Sequence, residues 1–381
     1  MGNSWRAPKI HLLSKFGTVL QNTLFPAFRE TLGPLDSKKE QLIKTIALLD
    51  LERLAGSRRG AVGRPGHDRI AIARAFIAKA AYNFPHTRAL IDRLKNDEVL
   101  RRLCGWESLS QIPAECSFSR VFAEFAQGQF PQRVHEALIE KTQKHRLIGH
   151  ISRDSTAIET REKPQPTPKA EAKPAAEKTK PPRRKRGEPK PPEQMKRSLQ
   201  QKTMTSEQML ADLPRCCDVG TKTNSKGRKS SWLGYKLHLD VADGQIPITG
   251  ILTSASLHDS QAALPLATIT ATRVANFYDL MDKGYDTEDI RQHSRSLGHV
   301  PIIDRVRRPD NQDEHGEIPV KMLPHEASRF RERETVERVN SRLKDEFGGN
   351  NVRVRGNAKV MAHLMFGVLA LTVDQILRLQ T

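Results

Sequence analysis

A stripe of charged side chains on one helix is the first part of the sequence whose residue types could do chemistry. Residues 330–347 contain neither Pro nor Gly and are followed by two glycines, which predicts a helix that ends there. Arg333, Glu337 and Lys344 are spaced four and seven residues apart, so on an α-helix they fall within about 60° of one another. Phe330 lies on the same stripe, three residues before the arginine. A carboxylate between two cations is either an ordinary solvated face with weak i,i+4 pairs or part of a site that binds phosphate and metal.

Two aspartates follow predicted strands and could meet this helix. LIGHISRDSTAIE, residues 147–159, is predicted as a strand with Asp154 at its end, and Asp282 is predicted to end the apolar strand 277–282. If these strands are parallel neighbours, both carboxylates point into one crevice at the strand ends, and Glu337 could supply a third from a helix packed on the sheet. By itself, Asp154 before Ser-Thr is more typical of a turn or a helix cap.

Three converging carboxylates would suit one kind of chemistry. They repel one another unless cations lie between them, and ligand sets made only of oxygen suit Mg²⁺ or Mn²⁺. Two such ions about 3.5–4 Å apart activate a water or a 3′-hydroxyl and stabilise the leaving oxygen in phosphodiester displacement. A basic chain around an acidic pocket suits this reaction, since cations hold the nucleic-acid backbone while carboxylates hold the metals.

The composition points to a polyanionic partner. The 381 residues carry 63 Lys and Arg against 44 Asp and Glu, for a net charge of +19. Nucleic acid is the first candidate, although a ribosomal or membrane-surface protein could show the same excess. No apolar run approaches the roughly 18 residues of a membrane span, and the N-terminus lacks the features of a signal peptide. The four cysteines have no zinc spacing and indicate reduced thiols in a cytosolic protein.

The chain is predicted to divide into two regions at about residue 147. Residues 1–147 are predicted as an all-helical bundle with many basic side chains, which indicates either helix-turn-helix-like DNA binding or an ordinary bundle with a basic surface. Within it, residues 85–106 are predicted as one helix, and the next helix is predicted to start at Ser117 or Ser119. Residues 148–381 are predicted as an α/β mixed sheet flanked by helices, in the order β, insertion, β-β-α-β-α-β, α, α.

A Pro-rich insertion interrupts the second region at residues 161–202. Its Pro, Lys and Glu residues predict a disordered or polyproline-like tether that forms no core. Its most basic run either contacts the DNA backbone, which we favour, or only keeps the tether soluble. This run consists of Arg183, Arg184, Lys185 and Arg186.

Taken together, these motifs resemble those of insertion-sequence transposases of the DDE class, from about His67 to the C-terminus. The family's first motif, an Asp after strand one, matches ISRDST around Asp154. Its second, a strand ending in Asp before a small residue and Tyr, matches LMDKGYD around Asp282. Its third, Tyr-Arg-Glu-Lys at spacings of three, four and seven, matches the helix except that Phe330 replaces Tyr. Further similarities lie at residues 105–106 (GW), 112–113 (IP), 117–120 (SFSR), 234–238 (GYKLH) and 253–259 (TSASLHD).

This resemblance implies a fold and a metal centre. It implies a ribonuclease-H-like catalytic domain at residues 148–381, preceded by a helical DNA-binding domain at residues 1–147. The catalytic residues would be the metal ligands of two Mg²⁺ ions, for which Mn²⁺ can substitute. They are Asp154, Asp282 and Glu337.

The resemblance also implies supporting residues. Arg333 and Lys344 would hold the DNA strand next to the scissile phosphate, the arginine by bidentate contact and the lysine as a point charge. His258 and Asp259 would either support the metal site or cap the following helix.

The implied activity is cleavage at element ends to give free 3′-hydroxyls, which then join target DNA by transesterification. The partners would be double-stranded DNA, both element ends and target, and further copies of the chain in a homodimer or higher assembly. No membrane partner is expected, and the location would be the bacterial cytoplasm, associated with the nucleoid. Two other functions stay open: a related metal-dependent nuclease that cuts without joining, and a catalytically inactive DNA-binding derivative that acts as a repressor.

Overall fold

The N-terminal region is helical wherever regular structure is described. The computed structural model describes residues 35–54, 66–164, 197–223, 227–305 and 322–380. The helices before the first strand are α1 (Ser37–Leu48), α2 (Leu51–Leu54), α3 (Arg69–Ala81), α4 (Thr87–Asn96), α5 (Glu98–Cys104), α6 (Glu115–Gln127) and α7 (Phe130–Gln143), with a 3₁₀ turn at Leu109–Gln111. The prediction of a helical N-terminal region is confirmed for these residues.

Two helix boundaries in this region differ from the prediction. The predicted helix 85–106 is two helices, because Asp97 has an extended backbone (φ −115°, ψ 99°) and its carboxylate caps α5 by accepting a hydrogen bond from Leu100 N at 3.0 Å. α6 begins at Glu115 rather than at a serine, and the extended residue before it, Ala114, provides no side-chain cap.

A six-stranded mixed sheet follows. Its strands are β1 (Leu147–Glu159), β2 (Asp218–Thr223), β3 (Lys229–Ala242), β4 (Ile246–Ser254), β5 (Ala275–Met281) and β6 (Val300–Ile303). The order across the sheet is β2-β3-β1-β5-β6, and β4 also pairs with β3. β1, β5 and β6 pair in parallel, whereas β3 pairs antiparallel with β1, β2 and β4. This mixed sheet flanked by helices confirms the ribonuclease-H-like α/β fold that the resemblance implied.

Seven described helices connect the strands or pack on the sheet. They are α8 (Arg197–Gln201), α9 (Ser206–Asp212), α10 (Ala263–Arg273), α11 (Glu288–Ser296), α12 (Pro324–Phe330), α13 (Glu334–Asp345) and α14 (Asn357–Arg378), with 3₁₀ turns at Asp259–Ala262, Lys283–Tyr285 and Arg331–Arg333. The charged stripe therefore starts at the end of α12, passes through a 3₁₀ turn and continues on α13.

β2 is a strand that the residue pattern does not predict. It has no apolar alternation, and its one large apolar side chain, Val219, is 49% exposed. The strand forms because Asp218–Thr223 pair with residues 229–234 of β3, beyond the stretch of β3 that pairs with β4. Tertiary pairing, not local propensity, creates it.

The predicted disordered insertion ends before residue 202. α8 is a helix within its last residues, and Arg197 in that helix forms an ion pair of 2.8 Å with Asp212. The prediction is wrong for this helix, which packs on α10 and α11. Residues 165–196 lie outside the described residues, and with them the basic run Arg183, Arg184, Lys185 and Arg186.

α14 joins the two regions into one core. It packs against α1, α3, α6 and α7 of the N-terminal region and against β4 and α13 of the second region. The ring of Phe366 lies 5.5 Å from that of Phe76 and 6.3 Å from that of Phe122, centroid to centroid. One cluster of buried apolar residues consequently extends from Leu42 to Ile376. The change from helices to sheet at residue 147 is therefore not a division between two separate cores.

By length and composition alone, α14 could also cross a membrane. Of the most apolar window of this helix, 89% is buried inside the protein. That is the environment of a core helix, so the helix is weak evidence for a membrane span.

Candidate active site

Asp154 and Asp282 are next to each other on neighbouring parallel strands. β1 and β5 pair in parallel with Arg153 opposite Met281, and the next residue after each of these is one of the two aspartates. β5 ends at Met281, and Asp282 starts a 3₁₀ turn in which its Oδ1 accepts a hydrogen bond from Gly284 N at 2.9 Å. The predicted strand over residues 147–159 is confirmed as β1, but Asp154 lies within it and not at its end, because β1 continues for five more residues. Asp154 instead marks the point where the pairing of β1 with β5 ends.

The two carboxylates share one electrostatic environment. Burial raises the pKa of Asp154 to about 6, and the negative charge of Asp282 contributes to the rise. Burial raises the pKa of Asp282 as well. The cations Arg333 and Lys222 oppose the rise in pKa at both carboxyl groups. The crowding of negative charge at this place would favour a bound cation.

The helical segment with the charged stripe lies against the same face of β1. Ser152 Oγ donates a hydrogen bond to the carbonyl oxygen of Glu332 at 3.2 Å. Alternate residues of a strand point to one face of a sheet, so Asp154 faces this segment as well. Arg333 Nη2 donates to Glu337 Oε1 at 2.6 Å, and the side chain of this glutamate is 51% exposed.

The three predicted metal ligands are not gathered into one group. No three His, Cys, Asp or Glu side chains within the described part of the chain stand close enough together to hold an ion. The structure brings Asp154 and Asp282 together, whereas the carboxylate of Glu337 is bound to Arg333. Arg333 is thus the group that interacts with all three acids, by an ion pair with one and by its charge with the other two.

The remaining two residues of the stripe have different surroundings. Lys344 is half-buried, and burial lowers its pKa, while the charge of Glu159 at the end of β1 raises it and that of Lys222 lowers it. The ring centroid of Phe330 lies 5.7 Å from the guanidinium carbon of Arg333. This cation–π contact requires an aromatic ring but no hydroxyl.

The two predicted supporting residues have separate environments. His258 Nδ1 accepts a backbone hydrogen bond from the residue two positions on, at 3.4 Å, and so caps a 3₁₀ turn. Asp259 accepts a hydrogen bond from Lys236 Nζ at 2.8 Å and another from Ser155, the neighbour of Asp154. Asp259 therefore lies at the site, and His258 has the capping contact that was its alternative.

Two residues at the site have no place in the predicted ligand set. Lys222 acts on both aspartates from β2, and no pattern reveals it because that strand is not predicted. Tyr285 follows Asp282 in the LMDKGYD motif, which is the signal that could have found it. Its hydroxyl is buried without a hydrogen-bond partner among the described residues. Burial and the charges of Asp259, Asp154 and Asp282 raise its pKa.

A divalent metal fits the donors at this place. Asp154 and Asp282 offer carboxylate oxygens, the ligands that Mg²⁺ and Mn²⁺ prefer. Burial is the main cause of the raised pKa of Asp154, with the charge of Asp282 adding to it, and a bound cation would offset this cost of ionisation. The hydroxyl of Tyr285 is a further buried polar group at the same place without a partner among the described residues. Buried polar groups usually have a hydrogen-bond partner, which a bound group could supply here.

A buried ion pair lies directly beneath the aspartates. Arg153 Nε and Nη2 donate to the two oxygens of Asp240 at 2.8 Å each, and Thr270 Oγ1 donates to the same carboxylate at 2.7 Å. The third guanidinium nitrogen lies 3.4 Å from the sulfur of Met281. Asp240 therefore belongs to the framework of the sheet.

This sheet and its paired carboxylates define the class of the protein as ribonuclease-H-like. Within that class, residues 148–373 match the family model described as "Transposase DDE domain". Residues 30–124 match a second family model, described as "Transposase domain (DUF772)". Since the first match covers more than half of the chain, the chain belongs to the DDE transposase family and is an insertion-sequence transposase. None of the curated proteins and none of the solved structures compared with the chain matches it.

Replacing Asp154 by Asn should stabilise the metal-free protein at neutral pH. The pKa of Asp154 in the folded protein, about 6, lies above the 3.8 of an unperturbed Asp. Its ionisation therefore lowers the free energy of unfolding, by up to roughly 3 kcal/mol above pH 6 and by almost nothing below pH 4. Thermal unfolding in EDTA should show a higher midpoint for Asp154→Asn at pH 8, and the gain should shrink as the pH falls.

The control is Asp92→Asn, at an exposed position on α4. It should change the midpoint little at either pH. An Asp154→Asn variant no more stable than the parent at pH 8 would show that ionisation of Asp154 does not lower the free energy of unfolding.

Proposed function

We propose that this transposase binds the terminal inverted repeats of an insertion sequence and catalyses metal-dependent DNA cleavage followed by strand transfer. The observation that carries the proposal is the register of β1 and β5, which puts Asp154 beside Asp282 with Arg333 acting on both. A chain with a net charge of +19 around an acidic pair suits an enzyme whose cations hold DNA and whose carboxylates hold metal.

In this proposal the acids are catalytic residues because they hold the metal. Asp154 and Asp282 bind two Mg²⁺ ions, for which Mn²⁺ substitutes, and Glu337 completes the ligand set. When bound, the ions supply an activated water or 3′-hydroxyl and stabilise the leaving oxygen. Asp259 supports the site, since it ties Lys236 to the strand that carries Asp154.

Arg333 couples DNA binding to the position of Glu337. Their i,i+4 pair has a half-exposed carboxylate, and such pairs contribute only roughly 0.3–0.5 kcal/mol. A DNA phosphate offers the guanidinium a stronger bidentate partner, so its arrival releases Glu337 towards the metal. Lys344 holds a further phosphate on the same strand as a point charge.

Other parts of the chain hold the rest of the DNA. The helical domain, residues 1–147, binds the element end, and the catalytic domain spans residues 148–381. The basic run of the insertion contacts the backbone without reading sequence. Because two element ends must be cut and joined, the chain acts as a homodimer or higher assembly, associated with the nucleoid in the bacterial cytoplasm.

Each of the three acids should be required for cleavage but not for DNA binding. Asp154→Asn, Asp282→Asn and Glu337→Gln remove one charged ligand with little change in shape, so each should reduce strand cleavage by at least roughly 10³-fold. The measurement is cleavage in Mg²⁺ of a duplex that carries the terminal repeat flanking the gene, with binding followed by gel shift.

Asp92→Asn serves as the matched control and should cleave as the parent does. Cleavage that persists in one of the three variants would remove that residue from the proposed ligand set. Loss of binding together with cleavage in all three would favour a structural role.

A pre-cut element end should join to other DNA if strand transfer is part of the activity. An end with a free 3′-hydroxyl, incubated with the protein, Mg²⁺ and supercoiled plasmid, should give joined products that disappear when the 3′ end is dideoxy. Cleavage of intact ends without joining would favour the nuclease alternative, and binding without either reaction would favour the repressor.

Replacing Arg333 by Met should strengthen metal binding in the absence of DNA. The change frees Glu337 and removes a cation that competes at both aspartates, so affinity for Mn²⁺ should rise at least about twofold even though cleavage falls. The affinity is measured from the rise in the thermal unfolding midpoint as Mn²⁺ is added. The gain should be smaller in Arg333→Met combined with Glu337→Gln, where only the effect at the aspartates remains, and a gain as large as in Arg333→Met alone would separate Glu337 from the metal.

A further inference from the structure

A cleft lies between the N-terminal helices and the C-terminal part of the chain. It has a volume of about 510 Å³, and Phe347 and Gly348 after α13 form part of its wall. Phe347 is ten residues beyond Glu337, which corresponds to roughly 15 Å along a helix axis. By this estimate the cleft lies apart from Glu337 but close enough for one DNA molecule to reach both.

The walls of the cleft are held in place by direct hydrogen bonds. Asn83, in the turn after α3, donates to the carbonyl oxygen of Asp345 at 2.8 Å and accepts from Asn351 Nδ2 at 3.1 Å. His363 Nε2 on α14 lies 3.0 Å from the carbonyl oxygen of Gly348. These contacts join three elements of the lining, so the cleft is preformed.

Lys79 is the unusual residue of this cleft. Its side chain, on α3, is only 8% exposed, and no carboxylate or other hydrogen-bond acceptor in the described ranges pairs with it. Burial lowers the pKa of Lys79 to about 8, and no acid contributes an opposing effect. A buried amine without a counterion costs free energy that a bound anion would offset.

The rim of the cleft is also cationic. Arg353, Arg355 and Lys359 are exposed and form no ion pair with any described carboxylate. The single acid among the lining residues, Glu115, lies 3.3 Å from Arg88, which neutralises it. The surface is thus complementary to a polyanion and not to an isolated small anion alone.

We propose that this cleft binds the phosphate backbone of duplex DNA, with a phosphate oxygen accepting a hydrogen bond from Lys79 and adjacent phosphates contacting Arg353, Arg355 and Lys359. The choice of occupant rests on the proposed function. The roughly 15 Å between the cleft wall and Glu337 corresponds to about four base pairs at 3.4 Å rise, so the bound duplex would lie a few base pairs from the reacting phosphate. The cleft would hold the DNA in register without reading its sequence.

The salt dependence of DNA binding tests this proposal. Lys79→Met replaces the amine by an apolar side chain of similar length, so folding should be preserved, and thermal unfolding checks it. With a fluorescent duplex at several salt concentrations, the variant should bind about tenfold more weakly, and the slope of log affinity against log salt should fall by about 0.9. The combined variant Arg353→Ala, Arg355→Ala, Lys359→Ala changes only exposed side chains and should reduce the slope by about two to three.

The control is Arg295→Met, at an exposed arginine of α11 that lies outside the helical domain and does not line the cleft. It should leave the slope unchanged. Unchanged slopes in both cleft variants would overturn the proposal. The proposal would also be overturned if the cleft variants lost the thermal stabilisation that inorganic phosphate gives the parent protein but still bound the duplex as the parent does. The cleft would then be a site for a free anion.

Failure of the proposed function gives a different result. A parent protein that binds duplex DNA through Lys79 but neither cuts nor joins it would contradict the transposition chemistry and leave the cleft assignment standing.

Discussion

The arrangement of the site depends on the buried ion pair between Arg153 and Asp240. It joins β1 to β3 by two hydrogen bonds of 2.8 Å, and its arginine contacts Met281 at the end of β5. Burial opposes the charge of Arg153, but the carboxylates of Asp240 and Asp279 raise its pKa above the usual value. Removing one partner of such a pair typically costs roughly 3–5 kcal/mol, because a buried charge is left uncompensated. The pair connects three strands one residue before Asp154 and Asp282, so the register that aligns these aspartates is also the register that satisfies the ion pair.

α14 imposes a second constraint. Because its apolar surface is shared by the N-terminal helices and the sheet, the two regions cannot move independently without exposing buried apolar area. Its Asp374 pairs with Arg342 of α13 and Arg378, and accepts a hydrogen bond from Gln41 of α1. The helix that carries Glu337 is thus anchored to the same core as the helices that line the cleft. A duplex bound in the cleft would therefore lie at a fixed distance from the aspartates.

Much of this site could be predicted from sequence because it rests on local patterns. The apolar strands before Asp154 and Asp282 have clear periodicity, and parallel strands bring their carboxyl ends together, so the pairing of these two acids followed from secondary structure alone. Spacing also put Arg333 and Glu337 on one helix face. β2 could not be predicted in this way, because it forms only by pairing with β3. Lys222 and the cleft at Lys79 depend on contacts between residues far apart in sequence, which periodicity does not encode.

The separation of Glu337 from the two aspartates has an electrostatic explanation. Three carboxylates brought together without cations would raise one another's pKa values and repel, and the charge of Asp282 already adds to the rise that burial causes in the pKa of Asp154. Arg333 reduces this repulsion in two ways. Its charge acts to lower the pKa of both aspartates, and it holds Glu337 in an ion pair. The same guanidinium is what a DNA phosphate would bind. Under the proposed function, this arrangement would keep the third acid apart until DNA binds, and assembly of the metal centre would then depend on the presence of DNA.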